Sequence, residues 1–106
     1  MSTQTYEYRF DTAIPEQELE DTLMLSLIAV ESVFGHSRVR MDARFEFDRK
    51  HRRCRIDCSN EVGLQLARIF TGYATREYGE GAVQIDVSDA AVFRTANARD
   101  LEEVHQ

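Results

Sequence analysis

Val39-Arg40-Met41-Asp42-Ala43-Arg44-Phe45-Glu46-Phe47 is followed, beyond the polar residues 48–52, by Arg53-Cys54-Arg55-Ile56-Asp57-Cys58. In the first run Val39, Met41, Ala43, Phe45 and Phe47 fall on one side, and Arg38, Arg40, Asp42, Arg44 and Glu46 on the other. In the second, Cys54, Ile56 and Cys58 alternate with Arg53, Arg55 and Asp57. A period of two is that of a strand with one wet face. The spacing therefore predicts a long strand over 39–47 and a shorter one over 53–58, joined as a hairpin.

The charges of the two runs select their register. Inward residues are odd-numbered on the first strand and even-numbered on the second, so the numbers of paired residues sum to an odd value. A sum of about 101 sets Asp48 against Arg53, Glu46 against Arg55 and Arg44 against Asp57, each pair worth roughly 0.2–1 kcal/mol. A sum of about 99 sets Arg44 against Arg55 and Asp42 against Asp57, both repulsive. The first register is expected, with residues 49–52 as the loop.

Outward from the hairpin, Tyr6, Tyr8 and Phe10 alternate with Glu7 and Arg9 and predict an opening strand. Pro15 suits the first turn of a helix, and Glu16, Glu18, Glu20 and Asp21 complement its positive end. That helix should run over 15–34 and stop at Gly35. A second helix is expected over 61–78, capped by Ser59 or Asn60, with Val62, Leu66, Ile69, Phe70 and Tyr73 at helical spacing. Gly79 and Gly81 break it, and Val83, Ile85 and Val87 form a last strand. The order β-α-β-β-α-β is that of the ferredoxin-like sandwich, an α+β fold. It has a four-stranded antiparallel sheet, order 4-1-3-2, and two helices on one face. The 106 residues suffice for one such domain over 1–88, with 89–106 as a C-terminal tail that has room for a short helix.

The formal charge of −6 conceals a basic middle, because residues 36–55 carry eight basic side chains against three acidic ones. An anion or nucleic-acid contact would draw on Arg49, Lys50 and Arg52 at the hairpin tip and on the strand residues Arg38 and Arg40. The register argument returns Arg44, Arg53 and Arg55 to pairing within the sheet, so nucleic acid is not the favoured partner. No basic leader and no apolar run long enough to cross a bilayer is present, and a cytoplasmic protein without membrane contact is expected.

Known uses of the ferredoxin-like fold find no match in the residues. An RNA recognition motif stacks bases on aromatics of the open sheet face. Here that face offers Glu7, Arg9, Arg53, Arg55 and Asp57. The loop after the first strand, residues 11–15, has neither the Cys-x-x-Cys of heavy-metal chaperones nor the Gly-rich, Arg-bearing phosphate loop of acylphosphatases. Cys54 and Cys58 lie four residues apart on a strand, about 13 Å and too far for a disulfide, and read as buried thiols of a reducing compartment. His36, His51 and His105 lack ligand spacing, and neither metal nor cofactor is expected.

The first helix is more apolar than one buried stripe requires. If Leu19, Leu23, Leu27, Val30 and Phe34 face the sheet, then Met24, Leu25 and Ile28 are left for another surface, the second helix, the tail or a second chain. The expected function is accordingly that of a small non-catalytic interaction or oligomerisation domain, binding itself or another protein. Two alternatives stand beside it: anion binding at the basic tip, and a small enzyme with a cavity between sheet and helices.

Overall fold

The computed structural model describes residues 4–88. Strand β1 (Thr5–Phe10) leads into helix α1 (Glu16–Phe34) and a two-turn helix α2 (His36–Asp42). Strands β2 (Phe45–Asp48) and β3 (Arg53–Asp57), helix α3 (Glu61–Tyr78), a 3-10 turn at Glu80–Ala82 and strand β4 (Val83–Ser88) follow. The fold is α+β, with an antiparallel sheet of order β2-β3-β1-β4, which read from the β4 edge is 4-1-3-2.

One expectation is overturned. Residues 39–42 are not strand: α2 occupies His36–Asp42, and only Phe45–Asp48 pairs with β3. Val39 and Ala43, buried as expected, are also four residues apart, so one helical turn buries both. Met41, which a strand would have turned inward, is 67% exposed. Gly35, at φ +91°, lets the chain break sharply after α1 and start again. Arg38 then bridges Asp42 one turn on, at 3.5 Å, and Glu61 of α3 at 3.1 Å. Arg38 and Arg40 are therefore helix residues, not part of the hairpin.

The hairpin itself has the expected register. Phe45 faces Ile56, Glu46 faces Arg55, Phe47 faces Cys54 and Asp48 faces Arg53. Glu46 and Arg55 form an ion pair at 3.3 Å, and Arg44 meets Asp57 at 3.7 Å. Asp48 turns instead to His51, while Arg53 lies 4.0 Å from Glu7.

The core lies between the sheet and the helices. Tyr8 and Phe10 of β1, Cys54 and Ile56 of β3, Leu19, Leu23 and Val30 of α1, and Val62, Leu66, Ala67, Phe70 and Ala74 of α3 are all buried. Phe70 presents its ring edge-on to Tyr8 and Phe10, at 5.0 and 5.8 Å between centroids. The Tyr8 hydroxyl, inside this apolar layer, donates to the Ala67 carbonyl at 3.1 Å and lies 2.8 Å from the Thr71 hydroxyl, so its burial leaves no polar group unmet. Asn60, one of the two expected caps, accepts the Gly63 N–H at 2.8 Å and starts α3.

Candidate functional site

The basic residues singled out in the sequence are not brought together. Arg49, Lys50 and Arg52 sit at the β2–β3 turn, beside Arg53 at the start of β3. Arg38 bonds Glu61, just past the other end of β3, so the two groups are separated by about 13 Å of strand. The tip is also internally engaged. Arg49 lies 3.5 Å from both Glu16 and Glu20 and donates to Gln17 at 3.1 Å, which ties the hairpin to the start of α1. Arg52, at φ +52°, donates from Nε to the Ile14 carbonyl at 3.1 Å. Among the described residues Lys50 and Arg40 have no ion-pair partner.

His51 closes the turn on Asp48. Its ring Nδ1 lies 2.8 Å from Asp48 Oδ2, and its backbone N–H donates to Oδ1 at 3.2 Å. These bonds, the ring first, hold the Asp48 carboxyl below the ordinary aspartate range. A carboxyl lowered in the fold adds stability above its unfolded value, and that contribution is lost as the pH falls through the folded value. His51→Ala removes the ring bond and keeps the backbone one, so it is expected to raise the Asp48 midpoint part of the way toward the ordinary aspartate range in an NMR-monitored titration. An unchanged midpoint would show that the turn backbone alone sets it.

The second candidate lies on the side of the helices away from the sheet. Leu19, Thr22, Leu23, Ser26 and Val30 form the buried stripe of α1. Met24, Leu25 and Ile28, the three apolar residues left over in the sequence, are 51%, 56% and 57% exposed. Leu27 and Phe34, assigned to the core from the sequence, pack only partly buried against it. Beside the exposed residues runs a cleft of about 660 Å³ along the α1–α3 seam, lined by Ala29, Ile69, Gly72, Tyr73 and Arg76. It is continued by a second of about 340 Å³ bounded by Thr22, Leu25, Tyr73 and Tyr78. The Tyr78 hydroxyl donates to the Glu18 carbonyl at 3.1 Å and lies 2.9 Å from the Thr22 hydroxyl, joining the two helices there. Burial holds its phenol above the ordinary value.

The chain matches no family model, no curated protein and no solved structure.

Tyr73 is the seam residue that the sequence misplaced. Its spacing from Val62, Leu66 and Phe70 assigned it to the core, yet it is 40% exposed. Ala67 and Ala74 join Val62, Leu66 and Phe70 in the buried stripe of α3, and Tyr73 lies beside it, lining both clefts along the α1–α3 seam. Cys54 and Cys58 are free, buried thiols, as read from their spacing. Burial raises both, Cys58 to about 12, which keeps them protonated and unreactive at neutral pH. The open face of the sheet carries Glu7, Arg9, Arg53 and Arg55, while Tyr8 and Phe10 are buried against the helices. No helix is long and apolar enough to cross a membrane among the described residues.

Proposed function

We propose that this chain is a non-catalytic association domain of ferredoxin-like topology, elaborated by the extra helix α2, that binds another copy of itself through the outer face of α1. The observation that carries the reading is the set Met24, Leu25 and Ile28, three large apolar side chains more than half exposed on adjoining turns of one helix, with Leu25 lining the same cleft as Tyr73. Fully burying a side chain of this size is worth about 1.5–3 kcal/mol, so covering what remains exposed of all three supplies a driving force of several kcal/mol. A helix face that meets its own copy does so across a two-fold axis, each side chain serving twice. Two buried, unpaired thiols suit a reducing, cytoplasmic setting.

Size-exclusion chromatography with light scattering tests it. The wild type is expected to have a mass that is a multiple of the 12.3 kDa chain, and both Met24→Glu and Ile28→Glu to lower it. Each places a carboxylate on a site that is solvated in the single chain and desolvated in the pair. A wild type of single-chain mass removes the proposal.

A further inference from the structure

The edge of the sheet formed by β4 carries a second contact, distinct from the α1 face. Hydrogen bonds at the ends of β1 show which backbone groups of β4 are engaged. Asp11 N–H donates to the Ala82 carbonyl, whereas Phe10 N–H donates to Arg52 and Gln4 accepts from Cys58, so odd-numbered residues of β1 bond β4 and even-numbered ones bond β3. With Thr5 paired to Ser88 and Phe10 to Val83, the alternation of an antiparallel ladder turns Gln84, Asp86 and Ser88 toward β1. Val83, Ile85 and Val87 turn their backbone groups outward. Among the described residues only the Val83 N–H of these is taken, by the Glu80 carbonyl.

The same residues expose apolar side chains. Ile85 and Val87 are 37% and 54% exposed on the helix side of the sheet. The pairing with β1 runs without a bulge over all six residues, and Val83–Ser88 contains neither lysine nor proline, the usual means of blocking an open edge. The other edge, β2, is only four residues long, with Phe45 and Phe47 already packed against the core.

We infer that β4 pairs antiparallel with β4 of a second copy across a two-fold axis at Ile85, extending two four-stranded sheets into one of eight strands. The complementarity of the strand with itself selects both the occupant and the register. With Ile85 opposite Ile85, Val83 meets Val87 and Gln84 meets Asp86 of the second copy, an amide donor against a carboxylate, twice. Two backbone hydrogen bonds join the Ile85 residues, and two more run from the Val87 N–H groups to the Val83 carbonyls. An axis at Asp86 sets that carboxylate against itself. An axis at Gln84 leaves Val87 beyond the partner strand. Odd-sum registers place Ile85 beside Asp86 and send the helix layers to opposite faces.

This inference goes beyond the proposed role of α1, because it uses a different surface, and a chain can engage both. Light scattering on the full chain tests it with Ile85→Pro, Ile85→Lys and Gln84→Glu. Ile85→Pro deletes an N–H that β1 does not use, so the domain should keep its circular dichroism while the mass falls. Ile85→Lys, a charge on an exposed edge position, should do the same. Gln84→Glu separates the two levels of structure. Within the chain residue 84 faces Arg9, so the melting temperature of the dilute single chain should hold or rise. Across the axis it faces Asp86 of the second copy, and association should weaken about tenfold. Masses unchanged by all three variants overturn the inference, as does a wild type of single-chain mass. If Ile28→Glu lowers the mass and Ile85→Pro does not, this contact falls and the α1 reading stands. The reverse result overturns the α1 reading and leaves this one.

Discussion

Phe70→Ala is expected to destabilise the fold by about 3–5 kcal/mol, measured as the change in unfolding free energy in a denaturant titration. Phe70 is fully buried at the centre of the layer between α3 and the sheet, edge-on to both Tyr8 and Phe10. Two losses combine, the transfer of a large apolar side chain and the edge-to-face contacts, the latter worth about 0.5–1.5 kcal/mol per pair. Relaxation cannot recover much, because the Tyr8 ring is held by its hydroxyl to Ala67 and Thr71 and cannot swing into the space. Domains of this size have roughly 5–15 kcal/mol in total, so the variant should be partly unfolded at 37 °C. A loss below about 1 kcal/mol would contradict the packing described.

Gly63→Ala should cost about 3 kcal/mol, against the usual direction of such a change. Alanine is favoured over glycine inside a helix by about 1 kcal/mol, so propensity alone predicts a gain. At Gly63, however, an added Cβ would fall on the backbone carbonyl of Asp57, where β3 ends. That contact cannot be relieved by a side-chain rotation. The first turn of α3 is pinned beside it by the Asn60 cap and by the Cys58 thiol, which donates to the Gly63 carbonyl at 3.9 Å. The helix must therefore lift from the sheet, at the cost typical of an overpacked core. Gly72, in the same helix with nothing near its missing Cβ, is the control. Gly72→Ala should raise single-chain stability by about 0.5–1 kcal/mol. A neutral or stabilising Gly63→Ala would mean that α3 does not sit against the end of β3 as described.

Where two independent signals coincide in the sequence, the structure was legible. The hairpin register follows from apolar parity together with three complementary charge pairs, and α3 from a cap at Asn60 and a stop at Gly79. The surplus of Met24, Leu25 and Ile28 followed from counting apolar residues against the arc a single helix can bury. Residues 38–42 defeat the same method because Val39 and Ala43 satisfy a period of two and a spacing of four alike. The discriminating facts, a positive φ at Gly35 and the reach of Arg38 to both Asp42 and Glu61, are three-dimensional. The basic patch dissolved for a related reason. Charges adjacent in sequence were assigned to one surface, whereas α2 carries Arg38 and Arg40 to the far end of β3 and α1 supplies carboxylates to Arg49. The alternation of Val83, Ile85 and Val87 predicts the strand, but it does not reveal that an edge strand lies beyond the cover of its helices. The expectations for residues 89–106 lie outside the described residues.

Whether a second copy covers the outer face of α1 can be read from the thiol reactivity of Ile28→Cys. Cys54 and Cys58 are buried, with thiols raised above their ordinary value, so the fast reaction with a disulfide reagent reports residue 28 alone. If the face is covered, the rate falls as protein concentration rises and recovers on dilution, in step with the mass measured by light scattering. A rate that is fast and the same at every concentration would contradict it.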